Sequence, residues 1–449
     1  MREVELVQHL GEQATVSNAI AIELYEKYSV KRGLRNADGT GVLVGLTNIG
    51  DVHGYVMEDN EKVPREGRLR YRGINVSELV EGFQKNNRFG FEEVCFLLLF
   101  GDLPNTEELA TFTALLGDLR ALPENFTEDM ILKIPSHNIM NKLARSVLVS
   151  YSYDMLADDL DVRNVLYQCL KLIARFPTMV AYGYQAMARN YENKSMYLHN
   201  PKTDMGTAEN FLRMTRPDAK FTQLEAETLD LALVLHAEHG GGNNSTFTVH
   251  VVASSLTDTY SAIAAAVGSL KGPRHGGASL HVSDMIADLK KECGDTPTEA
   301  TIEAYLEKIM NREAFDKTGL IYGMGHAVYT LSDPRAVMLK AKAQELAEDK
   351  GMLDEFAIYD TVERIAPEVF KRIKNSENPL CANVDLYSGF VYAMLGLPTS
   401  LFTPLFAVAR IAGWAAHRIE QIASEGKIIR PAYKCVQAKG SYVPIEERP

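Results

Sequence analysis

A mainly α-helical protein with one small N-terminal β element is what this 449-residue sequence predicts. Three observations carry that reading. Long stretches repeat apolar residues at three- and four-residue spacing, and several close on glycine or proline. Strand-like alternation is confined to two short stretches before residue 77. No Pro/Ser-rich linker, internal repeat or low-complexity tract marks a domain border, so the chain is expected to cross between lobes more than once.

In chain order, "GVLVGLTNIGDVHGYV" (41–56) and "RLRYRGINV" (68–76) read as the strands. "VSELVEGFQKNNRFGFEEVCFLLLFG" (76–101) reads as one helix, opened by a capping box from Asn75 and Glu78. "AETLDLALVLHAEHG" (226–240) is a long helix, its last turn carrying His236, Glu238 and His239. "TDTYSAIAAAVGSLKGP" (257–273) is dense in small residues, which suits close packing, and stops at Gly272-Pro273. "AVMLKAKAQELAEDKG" and "LYSGFVYAMLGLP" complete the set, the second closed by Gly396 and Pro398.

Composition narrows the function. With 47 Lys+Arg against 59 Asp+Glu, the net charge of −12 disfavours nucleic acid and anionic membrane surfaces as partners, though local arginines can still hold a small anion. The five cysteines form no C-x-x-C pair, so reduced thiols are expected rather than a disulfide framework. The N-terminus has neither a secretory h-region nor the Arg-rich character of a transit peptide, and no apolar run approaches the ~20 residues of a membrane span. A cytoplasmic protein is expected.

Chemistry-bearing residues fall in a few places. In "GPRHGG" the ring of His275 stands on a glycine-flanked turn, and "YGMGHAVYT" repeats the pattern with Gly323 and Gly325 before His326. Loops at element ends are where catalytic groups commonly sit, while a structural role is the alternative for each histidine. Asp385 in "CANVDLYSGF" opens a helix behind Asn383, either as a helix cap or as an acid–base group. Arg410 in "FAVARIAGW" has apolar flanks on both sides and needs a carboxylate partner, from protein or ligand. Arg335 in "SDPRA" and Arg430 in "KIIRPAY" lie beside helix breakers. His236, Glu238 and His239 form no H-E-x-x-H frame and no third-ligand motif, so no metal is expected. "HGGG" would suit an esterase oxyanion loop, but no G-x-S-x-G elbow accompanies it.

Read together and in order, "LHAEHGGGNNST", "LKGPRHGGAS", "GMGHAVYTLSDPRA", "NVDLYSGF", "ARIAGWAAHRIEQ" and "IIRPAY" resemble the citrate synthase family over about residues 229 to 435, and "GRLRYRGINVSELVE" resembles its N-terminal segment. The resemblance implies a two-domain helical homodimer. Residues 1–277 and 385–449 would form the large domain, with 278–384 inserted as the small one. It implies condensation of acetyl-CoA with oxaloacetate, followed by hydrolysis of citryl-CoA, with no permanently bound cofactor. Asp385 would be the base, His275 the donor to the thioester oxygen, and His326 the group that polarises the oxaloacetate carbonyl. His239, Arg335 and Arg410 would bind the oxaloacetate carboxylates, and Arg430 would arrive from the partner subunit. Backbone around Gly323 and Gly325 would meet the CoA adenine. Departures fall at Thr330, Gly240 and Arg274, where the family often carries a basic residue, an acidic residue and a leucine, respectively. Two alternatives stay open: 2-methylcitrate synthase, using propionyl-CoA, and a non-catalytic sensor of CoA or a dicarboxylate.

Overall fold

The computed structural model describes residues 2–36, 39–59, 61–424 and 426–448. Its helices are α1 Arg2–Asn18, α2 Glu23–Lys27, α3 Val76–Lys85, α4 Phe91–Phe100, α5 Thr106–Leu119, α6 Ile139–Ser150, α7 Val162–Tyr191, α8 Thr207–Thr215 and α9 Gln223–His236. They continue as α10 Asn244–Ala253, α11 Thr259–Lys271, α12 Ala278–Cys293, α13 Glu299–Met310, α14 Pro334–Lys350, α15 Leu353–Lys374, α16 Asp385–Met394 and α17 Phe402–Ala423.

The β element is an antiparallel sheet in the order β1 (Gly50–Glu58), β2 (Glu61–Tyr71), β3 (Ile74–Asn75). Gly50 pairs with Tyr71 and Glu58 with Glu61, and the register shifts between His53 and Tyr55. The first strand starts nine residues later than expected. Residues 42–49 find no partner strand, and the Asn48 amide instead donates to Glu420 at 2.7 Å.

The expected helix over 76–101 is two helices. Asn87 takes a positive φ of 50°, and a Cβ on Gly90 would collide with the Phe83 ring. The amides of Gly90 and Phe91 donate to Asp230 of α9, at 2.6 and 3.2 Å, so a residue 140 positions away opens the second helix. Asn75 does cap α3, accepting from Ser77 at 3.4 Å, but the reciprocal Glu78 bond is absent among the described residues. Helix α9 ends at His236, so Glu238 and His239 lie beyond its last turn rather than on it. Gly240, at φ 81°, turns the chain there. The expected stops hold, with Gly272 at the C-cap of α11 and Gly396 at φ 70° after α16, while Asp258 caps α11 and Asp333 caps α14 ahead of Pro334.

Helix α17 runs through the core against α7, α9, α10 and α11. Trp414, Arg410, His417 and Arg418 on it are all fully buried. Helices α12 to α15 pack on one another, and α12 and α14 meet α16. Of the cysteines, all free, Cys95, Cys169 and Cys381 are buried, Cys293 is half-buried and Cys435 is exposed. No helix among the described residues is long and apolar enough to cross a membrane.

Candidate active site

The site forms where the α9 exit, the turn before α12, the loop before α14 and the start of α16 converge on α17. Arg410 is its hub. The guanidinium is wholly buried. Its Nε donates to the His236 carbonyl at 2.7 Å, while both terminal nitrogens have no hydrogen-bond partner among the described residues. Burial pulls its pKa down to about 10, and its field depresses His236, His239 and His275 and also reaches Asp385. A buried cation with two empty donors is a seat for an anion.

Glycine geometry holds His275 in place. A Cβ on Gly277 would come within 2.9 Å of the Pro273 carbonyl, and the Gly276 carbonyl accepts from Thr403 at 2.7 Å. The Ser245 amide donates to His275 Nε2 at 3.3 Å, with the Ser245 hydroxyl 2.9 Å from the same nitrogen. An Nε2 that accepts puts the ring proton on Nδ1. Ser245 is itself fixed by Trp414 of α17, whose indole donates to its Oγ at 3.1 Å. Burial, then Arg410, lower the His275 pKa to about 4, so the ring is neutral at pH 7.

His326 has the opposite tautomer. The amides of Val328 and Tyr329 both donate to its Nδ1, at 3.0 and 3.1 Å, which leaves the proton on Nε2. Its ring stacks on Tyr329 and meets His239 edge-on, with centroids 4.6 and 5.1 Å apart. Burial and Arg335 bring its pKa to about 4. The loop before it, with φ 82° at Gly323 and 87° at Gly325, is strapped to residues 381–383: Gly325 N donates to Cys381 O, and Asn383 donates to the carbonyls of Gly323 and Gly325. A Cβ on Gly323 would crowd Leu386.

Asp385 begins α16 but does not cap it. Val384 stands at the cap position without a side-chain bond, and the Asn383 side chain before it accepts from the Asp385 amide at 3.0 Å. The Asp385 carboxylate makes no hydrogen bond among the described residues, and burial raises its pKa to about 6, a value suited to a general base.

Arg335 is gripped by Asp333, Nε to Oδ1 at 3.0 Å and Nη2 to Oδ2 at 2.7 Å, and the same carboxylate accepts from the Val384 amide at 3.3 Å. Asp333 thus ties an arginine of α14 to the start of α16. His239 is buried and neutral, its Nε2 without a hydrogen-bond partner among the described residues. His236 donates from Nδ1 to the Ala232 carbonyl at 2.9 Å, and Glu238 bonds to the Gly240 amide and to His417, so the three do not gather around a common point. Thr330 bonds the Gly54 carbonyl of β1 at 3.4 Å.

Of the expected residues, His239, His275, His326, Arg335, Asp385 and Arg410 converge, and the Gly323–Gly325 loop borders them. Arg430 does not: it is exposed on the segment after α17 and bonds to none of them among the described residues. Sequence reasoning passed over Ser245, Trp414, Asp333 and His417. The Asp-Pro-Arg cap signal could have found Asp333, and the seven-residue step from Arg410 could have found His417.

Known proteins similar to this chain fall in one family. Residues 37–432 match the family described as citrate synthase, C-terminal domain. The chain is 34% identical over 425 residues to the citrate synthase of Haloferax volcanii, covering 93% of this chain and 99% of that one. It is 31% identical over 371 residues to the 2-methylcitrate synthase of Shewanella oneidensis, 81% and 87% covered. A solved ternary complex of Thermoplasma acidophilum citrate synthase with carboxymethyl coenzyme A and oxaloacetate superposes with TM-score 0.75 at 26% identity, covering 93% of this chain and 99% of that one.

Proposed function

The chain belongs to the citrate synthase family, an enzyme family that condenses acetyl-CoA with oxaloacetate, and we propose that Asp385, His275 and His326 carry that chemistry here. The observation that supports the assignment best is the buried Arg410 with two unpaired donors, whose field reaches His275 and Asp385 alike. Carboxylate recognition and proton abstraction then share one volume.

The methyl protons of acetyl-CoA are weakly acidic, so removing one requires stabilisation of the enolate oxygen as the proton leaves. Asp385 takes the proton. The neutral His275 donates its Nδ1–H to the thioester oxygen, since a neutral imidazole is a matched partner for an enolate. The carbon so activated attacks the oxaloacetate carbonyl, whose oxygen accepts the Nε2–H of His326. Citryl-CoA is then hydrolysed. His239, Arg335 and Arg410 hold the oxaloacetate carboxylates, and Arg430 of a second subunit completes the clamp in a homodimer. Carbonyls of Gly323 and Gly325 are already engaged, so the CoA adenine meets the remaining backbone edge of that loop. Residues 278–384 act as the small lobe that closes and excludes water. The cytoplasm is the compartment this reading implies.

The test is oxaloacetate-dependent release of CoA thiol. Asp385→Asn should lose about 10²–10⁴-fold in kcat while still binding oxaloacetate. An unchanged kcat would remove Asp385 from the mechanism.

A further inference from the structure

Helix α17 presents Arg410, Gly413 and His417 at steps of three and four, and so on one face. Glu238 lies across that face at its middle. A Cβ on Gly413 would strike the Glu238 carboxylate and would come within 2.5 Å of the Ala237 carbonyl, so the absence of a side chain there makes the space the acid occupies. On the far side, a Cβ on Gly50 would come within 2.7 Å of Glu238 Oε1.

Two cations therefore flank one buried carboxylate. His417 has it: Nε2 donates to Glu238 Oε1 at 3.0 Å. Arg410 does not, although its charge acts on Glu238. Glu238 Oε2 and both terminal nitrogens of Arg410 are buried without hydrogen-bond partners among the described residues.

The bonding on the other side of His417 fixes its charge. Gln421 Oε1 can only accept, so His250 donates to it from Nδ1 at 2.9 Å. His250 Nε2 must then accept, and the His417 Nδ1 that stands 3.0 Å away donates to it. With Nε2 donating to Glu238, both ring nitrogens of His417 carry protons. Glu420, held by the Asn48 amide, adds a second carboxylate 3.6 Å from Nδ1. Burial opposes the charge, but Glu238 and Glu420 together outweigh it and His417 is held up at about 9.

We propose that His417 is a positioning residue for substrate binding: it keeps the Glu238 carboxylate at its own end of the α17 face, and so leaves the Arg410 guanidinium open to a carboxylate of the substrate. Without that restraint the acid is an internal competitor already inside the site, and a guanidinium takes a carboxylate in preference to an orphaned position. The inference rests on the reading that Arg410 binds oxaloacetate.

The experiment measures KM and kcat for His417→Gln, for His417→Gln with Glu238→Gln, and for Arg410→Lys as control. His417→Gln should raise KM for oxaloacetate about tenfold while kcat and the KM for acetyl-CoA stay within about threefold. Adding Glu238→Gln removes the competing charge and should bring the oxaloacetate KM back to within about threefold of wild type. A purely structural role for His417 predicts the reverse, with the double variant as impaired as the single or more so. That result, or an unmoved KM in folded His417→Gln, overturns the proposal. If His417→Gln does not fold, His250→Leu removes only the acceptor behind it, and there a rise below about twofold overturns the proposal. If Arg410→Lys leaves the oxaloacetate KM unmoved, the Arg410 reading itself fails and takes this inference with it. If Arg410→Lys raises it and His417→Gln does not, only the positioning role falls.

Discussion

Lowering the pH should titrate the base directly. Proton abstraction needs Asp385 ionised, and burial lifts its carboxyl from 3.8 to about 6. The ionised share is then about nine-tenths at pH 7 and about one-tenth at pH 5, so kcat/KM should fall about tenfold across that interval. An aspartate at its ordinary value would lose only about a twentieth over the same range. Competing titrations lie elsewhere. His275 and His326, both lowered to about 4, stay neutral down to pH 5. Glu225 and Glu420, depressed to about 2 by their ion-pair and hydrogen-bond partners, contribute stability that is complete above their unfolded value of 4.5 and is lost only as pH falls from there through 2. His275 and His326, with His236 and His239, are held neutral by the fold below the unfolded value of 6.5 and so cost stability as pH falls from there, a loss that must be separated from the limb. The assay is thiol release at fixed ionic strength, with native circular dichroism checked at each pH. A flat profile from pH 7 to 5, or an acid limb that persists unchanged in Asp385→Asn, would refute the assignment of the limb to this carboxylate.

Gly413→Ala should cost about 2–4 kcal/mol of stability, read by denaturant melting, because the added methyl meets both the Glu238 carboxylate and the Ala237 carbonyl. Arg430→Ala should raise the oxaloacetate KM, and mixing it with Asp385→Asn subunits should restore some activity if sites are shared between chains; no restoration argues for sites built within one chain. Comparing kcat/KM for acetyl-CoA and propionyl-CoA reads the acyl pocket directly. One methylene is worth about 1–3 kcal/mol there, and a preference for propionyl-CoA would move the chain toward the 2-methylcitrate branch of its family. Raising the pH through about 9 should discharge His417, whose contribution to stability is complete below 6.5, and lower the melting temperature over that window.

Short-range physics was legible in the sequence. Asp258, Asp333-Pro334 and the Gly272-Pro273 stop act within one helical turn, so their signals need no tertiary context. The ordered blocks around His275, His326, Asp385 and Arg410 carried the family resemblance, and were legible because each residue and its glycine or helix end are sequence neighbours. What only the folded chain decided were pairings across long separations. Asp230 breaks the expected 76–101 helix from 140 positions away. Glu238 and His417 are 179 residues apart, yet once both are buried each is the charge that acts most strongly on the other, second only to the loss of water. Helix caps and stops are written in adjacent residues, whereas the company a buried charge keeps depends on which distant faces the fold closes together.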